Sequence, residues 1–177
     1  YTGKTSDKKY VKWKEKALRK RGKIDYYSRV AEWLDKAAEH AKQAGIRLGI
    51  ENRIGIETFP SEEEFRRLFM DFNTDVISYW HDFGHAQIRH HLALLDHREW
   101  LIEMLPHLLG CHVHDVKYPG GDHRAPFTGE ISFPELIPLV PASVPVVWEL
   151  DPSVTPTEIS ISLQRWNTVF NDESLVA

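Results

Sequence analysis

Cysteine is nearly absent: the 177 residues include one, Cys111, so no internal disulfide can staple the chain. Long apolar runs are missing too, because prolines interrupt the longest candidates, and this excludes an α-helical membrane span. Nor is there an excess of positive charge. Twenty-two Lys plus Arg face 26 Asp plus Glu, a formal net charge of -4, which disfavours a module held to duplex nucleic acid by phosphate neutralisation. Neither G-x-G-x-x-G nor G-x-x-x-x-G-K-[ST] occurs, so a nucleotide-binding fold would lack its phosphate cradle. No signal-peptide pattern opens the chain, which starts at Tyr1 rather than Met. The expectation is a fragment or processed form of a cytoplasmic protein.

The chain does contain enough apolar residues for one core. Hydrophobic residues make up 42% and aromatics 11%, which fits a single domain and argues against disorder. Residues 1–27 stand apart as a basic segment, with nine cations crowded between Lys8 and Lys23. They read as a loop with a helix, expected at the catalytic face of the fold, with a solvated face as the first reading and a phosphate clamp over the catalytic mouth or nucleic-acid contact as the other uses. From Ser28, a candidate N-cap, helical periodicity through Val30, Trp33, Leu34 and Ala37 runs to Gly45. The run Ile46–Ile50 then has strand length.

This alternation repeats. Ser61 with Glu64, Asp96 with Glu99, Ser132 with Glu135 and Thr155 with Glu158 each look like a helix start. The apolar runs Val76–Trp80, Leu108–Val113 and Val144–Trp148 fall between them. Strands alternating with helices predict a parallel sheet covered by crossover helices. Residues 28–177 are therefore expected to be α/β, and the choice lies between a doubly wound sheet and a barrel.

The strand ends favour the barrel. Each run stops at a group able to bind a divalent cation: Glu51, Asp82, His112 and Glu149. The steps between them are close to the roughly 31 residues per unit of a (β/α)8 barrel, whose C-terminal strand ends converge on one mouth. Alternation then points Gly49, Trp80, Gly110 and Val147 inward, and His81 and Cys111 toward the helices. Three carboxylates and an imidazole suit Mn²⁺, Mg²⁺, Co²⁺ or Zn²⁺.

The segments G-I-E-N (49–52), H-D-F-G-H (81–85), C-H-V-H-D (111–115), T-G-E-I (128–131) and V-V-W-E-L (146–150) together resemble the xylose isomerase-like TIM barrels. That superfamily holds sugar isomerases and epimerases and the endonuclease IV type of nuclease. The resemblance implies that Glu51, Asp82, His112 and Glu149 ligate the metal and that Glu51 and Glu149 also move protons. It places His85 at the substrate and makes Asp115 a support of the site. Arg124 is a looser candidate, since the position six residues beyond His112 is Tyr118 and Arg124 follows only after Pro119, Gly120 and Gly121. His114 and His123 lie close enough to the mouth to touch substrate or metal. His40, His90, His91, His97 and His107 read as solvated or capping side chains.

The expected activity is a metal-dependent isomerase or epimerase acting beside the carbonyl of a small ketose or polyol derivative, as a free sugar or a sugar phosphate. A dehydratase or lyase on the same scaffold, a metal phosphodiesterase and a non-catalytic sugar-binding barrel are the alternatives. The nuclease reading is weakened because Asp122 and His123 are adjacent where that branch has Asp-x-His. By this count the chain holds strands four to seven. The other strand-helix units are expected to be removed, disordered, or supplied by another chain, as in a homo-oligomer.

Overall fold

The computed structural model describes residues 5–72, 75–119 and 121–170; the ends of the basic segment and of the barrel portion, and Gly120 of the loop before Arg124, lie outside them. Helices α1 (Lys8–Arg21) and α2 (Tyr26–Ala44) come first. Strand β1 (Leu48–Glu51), helix α3 (Glu62–Asp71) and strand β2 (Ile77–Asp82) follow, then helices α4 (Phe83–His91) and α5 (His97–Met104). Strand β3 (Leu108–Val113), the short helix α6 (Phe133–Leu136), strand β4 (Val146–Trp148) and helix α7 (Pro156–Phe170) complete the order.

The strands form one parallel sheet in the order β1-β2-β3-β4. Helical crossovers return the chain to the same end each time, so the architecture is part of a (β/α) barrel, about half of one. One face of the sheet packs on the helices through Leu68, Ile77, Tyr79, Leu101, Cys111 and Phe133. Burial of Cys111 pushes its thiol up to about 12, as expected of a packing residue. The opposite face carries Gly49, Trp80, Gly110 and Val147. A methyl group on Gly110 would stand 2.2 Å from the Trp80 ring, so that glycine makes room for the indole. Trp80 in turn meets His112 edge-on, with centroids 5.1 Å apart.

Local chemistry explains most helix starts. Ser61 and Glu64 form a reciprocal capping box, Asp96 accepts the Glu99 N–H, and Thr155 and Glu158 close a second box. Two expectations need correction. Helix α2 begins at Tyr26 with Asp25 as its cap, and Ser28 supplies the N–H that Asp25 accepts. Ser132 makes no side-chain cap bond, and α6 runs only four residues before tightening into a 3-10 turn at Ile137–Leu139, with Pro134 and Pro138 interrupting the hydrogen-bond ladder. No start was assigned in the sequence for helix α4, on which His90 and His91 lie; Asp82 starts it directly from the strand end by accepting the His85 N–H.

The basic segment is a helix, α1, seated by Tyr10 under the chain at Leu92 and by an Arg21–Glu64 ion pair. Most of its lysines face outward. Among the described residues no helix is long and apolar enough to cross a membrane.

Candidate metal centre

Four consecutive strand ends bring Glu51, Asp82, His112 and Glu149 together, with one potential ligand atom from each lying within 4.8 Å of all the others. His112 Nδ1 is the hub, 2.7 Å from Glu51 Oε1, 3.0 Å from Glu149 Oε2 and 3.9 Å from Asp82 Oδ2. The parallel register explains the convergence, because Asp82 pairs with His112 across β2 and β3 and Glu51 with Trp80 across β1 and β2. Arg53 holds the other Glu51 oxygen at 2.9 Å, but half its side chain is in solvent. Three carboxylates around one imidazole leave the centre short of positive charge. Ligands about 2 Å from a common ion can span about 4 Å, so this donor set fits one hard or borderline divalent cation after a small contraction.

The four ligand candidates differ in exposure. Asp82 is completely buried, whereas the Glu149 side chain is 45% exposed and the Glu51 side chain 23%. Burial alone would raise the Asp82 pKa. The hydrogen bond and charge of His114, helped by His85, outweigh it and hold the carboxyl below its usual range.

A second group of ligating side chains shares Asp82: His85, His114 and His123 also bring donor atoms within 4.8 Å. Here the protein uses most of those atoms itself. His114, expected at the substrate, is fully buried; its Nε2–H lies 3.0 and 3.2 Å from the two Asp82 oxygens, and its Nδ1 accepts the His123 backbone N–H at 2.8 Å. Burial opposes a charge on His114, but the Asp82 hydrogen bond and charge prevail and raise its pKa. His123 stacks on that ring at 4.0 Å with its backbone at φ 53°, a left-handed conformation that costs a non-glycine residue about 1–2 kcal/mol. His85 donates Nδ1–H to the Asn52 carbonyl at 2.8 Å, which leaves Nε2 as its acceptor atom.

Asp115 is a bracket for the loop after β3. Its carboxylate accepts the N–H groups of Val116, Gly129 and Ile131 at 2.8, 2.7 and 3.1 Å. Its backbone pairs with Arg124 in an antiparallel bridge. Arg124 thereby lines a cavity of about 360 Å³ with Asp122, His123, Asp151, Ser153 and Glu158. The cavity adjoins the cluster through His123, whose Nε2 is 3.7 Å from Glu149, but Arg124 itself is not within the cluster.

Two functional neighbours escaped the sequence reading. Asn52 grips the Asp82 backbone in both directions, donating Nδ2–H to its carbonyl at 2.9 Å and accepting its N–H at 2.7 Å. Its place directly after Glu51 was the one signal available. His97, expected to be solvated, is 96% buried instead, with its Nε2 3.1 Å from His81 Nε2. Burial pushes the His81 pKa down to about 3 and that of His97 well below normal, so both rings are neutral. This also answers how a histidine on the helix side of β2 is tolerated.

A family model described as xylose isomerase-like TIM barrel matches residues 7–157. No curated protein matches the sequence. Among solved structures, the chain is similar to the crystal structure of a D-tagatose 3-epimerase-like protein, at 17% identity and a TM-score of 0.61. The similarity covers 78% of this chain and 52% of that one, so the chain spans about half the length of the structure it matches.

Proposed function

Since the chain belongs to the xylose isomerase-like TIM-barrel family, we propose that it carries the metal-binding half of an isomerase or epimerase acting on a small ketose or polyol derivative. The observation that carries this reading is the convergence of four donor atoms, from four successive strand ends, within 4.8 Å. A divalent cation held by Glu51, Asp82, His112 and Glu149 would polarise a substrate carbonyl and its neighbouring hydroxyl and so acidify the carbon beside them.

The protein's own groups then divide the remaining work. Glu51 and Glu149 reach the same His112 nitrogen from the first and last strands of the sheet, so two carboxylates are available to remove a proton from a substrate carbon and return one. Both are partly open to the mouth of the barrel, as a proton-transferring group must be. His85 offers Nε2 to a substrate hydroxyl, its ring fixed by the Asn52 carbonyl. Arg124, at the adjoining cavity, is the cation available to the far end of a sugar or sugar phosphate. Asp115 keeps that loop in place.

The test is deuterium exchange. Loaded with Mn²⁺ in deuterated water, the protein should incorporate deuterium beside the carbonyl of at least one ketose from a panel of free and phosphorylated sugars. Glu51→Gln and Glu149→Gln should each slow exchange by about 100-fold or more, the usual scale for losing a positioned acid or base. Absence of exchange into every ketose, by protein shown to hold Mn²⁺, overturns the reading. Loss of water from the substrate during exchange would make the enzyme a dehydratase instead.

A further inference from the structure

Behind the centre, on the helix side of the sheet, lies a buried line of polar side chains that the proposed chemistry does not use. It runs from Asn52 through Tyr79, His81, His97 and Gln87 to His91. Tyr79 is wholly buried, and its oxygen is 2.9 Å from each of Asn52 Oδ1, His81 Nδ1 and Trp100 Nε1. The phenol has one proton and two lone pairs, and Trp100 can only donate. The proton therefore goes either to Asn52 or to His81, and this choice fixes every other proton along the line.

Consider first a phenol that donates to His81. His81 must then carry its proton on Nε2 and give it to His97 Nε2, so that His97 donates Nδ1–H to Gln87 and Gln87 donates its NH2 to His91. Three conflicts result. The Tyr79 oxygen and Asn52 Oδ1 face each other at 2.9 Å with no proton between them. His91 Nε2 presents a bare lone pair to the Glu130 carboxylate 3.2 Å away. Its Nδ1–H, buried, has no partner among the described residues.

The opposite polarity removes all three. His91 Nε2–H faces both Glu130 and the Gln87 amide oxygen, with the amide turned so that its NH2 meets His97 Nδ1. His97 Nε2–H donates to His81 Nε2, His81 Nδ1–H to the Tyr79 oxygen, and Tyr79 O–H to Asn52 Oδ1. Tyr79 now makes three hydrogen bonds, and Asn52 Oδ1 accepts two, from Tyr79 and from the Asp82 N–H. The leftover atom is His91 Nδ1, a bare acceptor, which is cheaper to bury than an unpaired donor.

We propose that Tyr79 is a positioning residue for the cation site, the last member of a line of side chains whose donors all point toward Asn52, which in turn sets the backbone of Asp82. The proposal rests on the cation-site reading above. The line is a rod and not a proton conduit, because the Gln87 amide interrupts it and cannot readily pass a proton on. Its role is geometric: Asn52 sits beside Glu51, clamps Asp82 and orients His85, so the phenol that fixes Asn52 fixes the spacing of three groups at once.

Two measurements test this. In the wild-type protein, ¹⁵N NMR should show His81 protonated on Nδ1 and His97 on Nε2; the reverse tautomers overturn the polarity and with it the proposal. This readout needs no metal and survives even if the cation site fails. In Tyr79→Phe, Co²⁺ should bind about 10-fold more weakly than in wild type, the lower range for losing a group that orients a metal ligand, and its visible absorption bands should shift. Unchanged affinity and bands overturn the positioning role. Failure of the wild type itself to bind Co²⁺ would instead sink the reading of the centre, leaving the tautomers to decide the polarity of the rod.

Discussion

Two groups of ligating side chains share Asp82, and they are built in opposite ways. Around His112 the carboxylates of Glu51 and Glu149 crowd one nitrogen, are partly exposed, and leave negative charge unbalanced. Around His114 the atoms are buried and already committed, Nε2–H to Asp82 and Nδ1 to the His123 N–H. The first group is strained without a cation and relieved by one. In the second the His114–Asp82 pair is satisfied by the protein alone and braces the site, with His85 Nε2 left over for a ligand. Proximity of acids and imidazoles therefore does not identify a metal centre; the number of protons and lone pairs still unspent does.

Substitutions can break this contrast. Asp82→Ala should abolish Co²⁺ binding and also destabilise the fold by about 3–5 kcal/mol in urea unfolding, because it strips a buried hydrogen-bonded charge from His114 and removes the α4 cap. Glu51→Ala should also abolish binding, yet leave the metal-free stability within about 0.5 kcal/mol or raise it, since a like-charge neighbour of Glu149 and Asp82 is gone. If both variants lose stability equally, the open group is structural as well and the contrast is false.

Acid should sharpen it next. His81 and His97 are held neutral in the fold with pKa values below the ordinary 6.5. The unfolded chain takes up protons on them below that pH while the folded chain does not, so stability falls as pH drops from about 6.5 toward 3. The slope should approach about 1.4 kcal/mol per pH unit for each ring. Asp82 acts in a lower window: its pKa is depressed in the fold, so its contribution is present above the unfolded carboxylate value and lost only as pH falls below it. His114, whose pKa is raised in the fold, gains stability as pH falls and offsets about one of the two rings, so urea midpoints at pH 7, 6 and 5 should still decline with the slope of about one ring, and a flat profile over that range would show the two rings are not buried as neutral groups.

The open group was legible in the sequence as a set, whereas the closed one was legible only as single residues near the mouth, for a physical reason. Glu51, Asp82, His112 and Glu149 stand at strand ends one barrel unit apart, and parallel strands convert equal spacing into convergence. His114 and Asn52 act through hydrogen bonds whose partners lie some 30 residues away, with no period to reveal them. His97 misled for a related reason: a histidine at a helix start looks solvated until the neighbouring helix and β2 are known to cover it. Arg124 was placed at the right loop by chain order, but only the antiparallel bridge to Asp115 shows which way that loop folds back. Helix α4 was hidden because Asp82 serves as both strand end and helix cap, and a site motif occupied the residues that would have signalled it.

The smallest effects should separate the two groups by space alone. A methyl group on Gly84 would come within 1.9 Å of His114 Cε1, and one on Gly110 within 2.2 Å of the tip of the Trp80 ring. Both are too close, but the obstacles differ. His114 is locked at both nitrogens and stacked on His123, so in Gly84→Ala either α4 or the imidazole must shift and the bond to Asp82 must bend. Trp80 is half-buried on the more open face of the sheet and, among the described residues, its indole N–H has no hydrogen-bond partner, so no such bond holds its ring in place in Gly110→Ala. Overpacking in a tight core costs about 1–3 kcal/mol, and Gly84→Ala should sit at the top of that range and weaken Co²⁺ binding, while Gly110→Ala should sit at the bottom. Paired urea and Co²⁺ titrations decide it: equal losses in the two variants would mean that the face around Trp80 is as rigid as the brace around His114, and that the open group owes its accessibility to its exposed carboxylates and not to slack in the sheet beneath them.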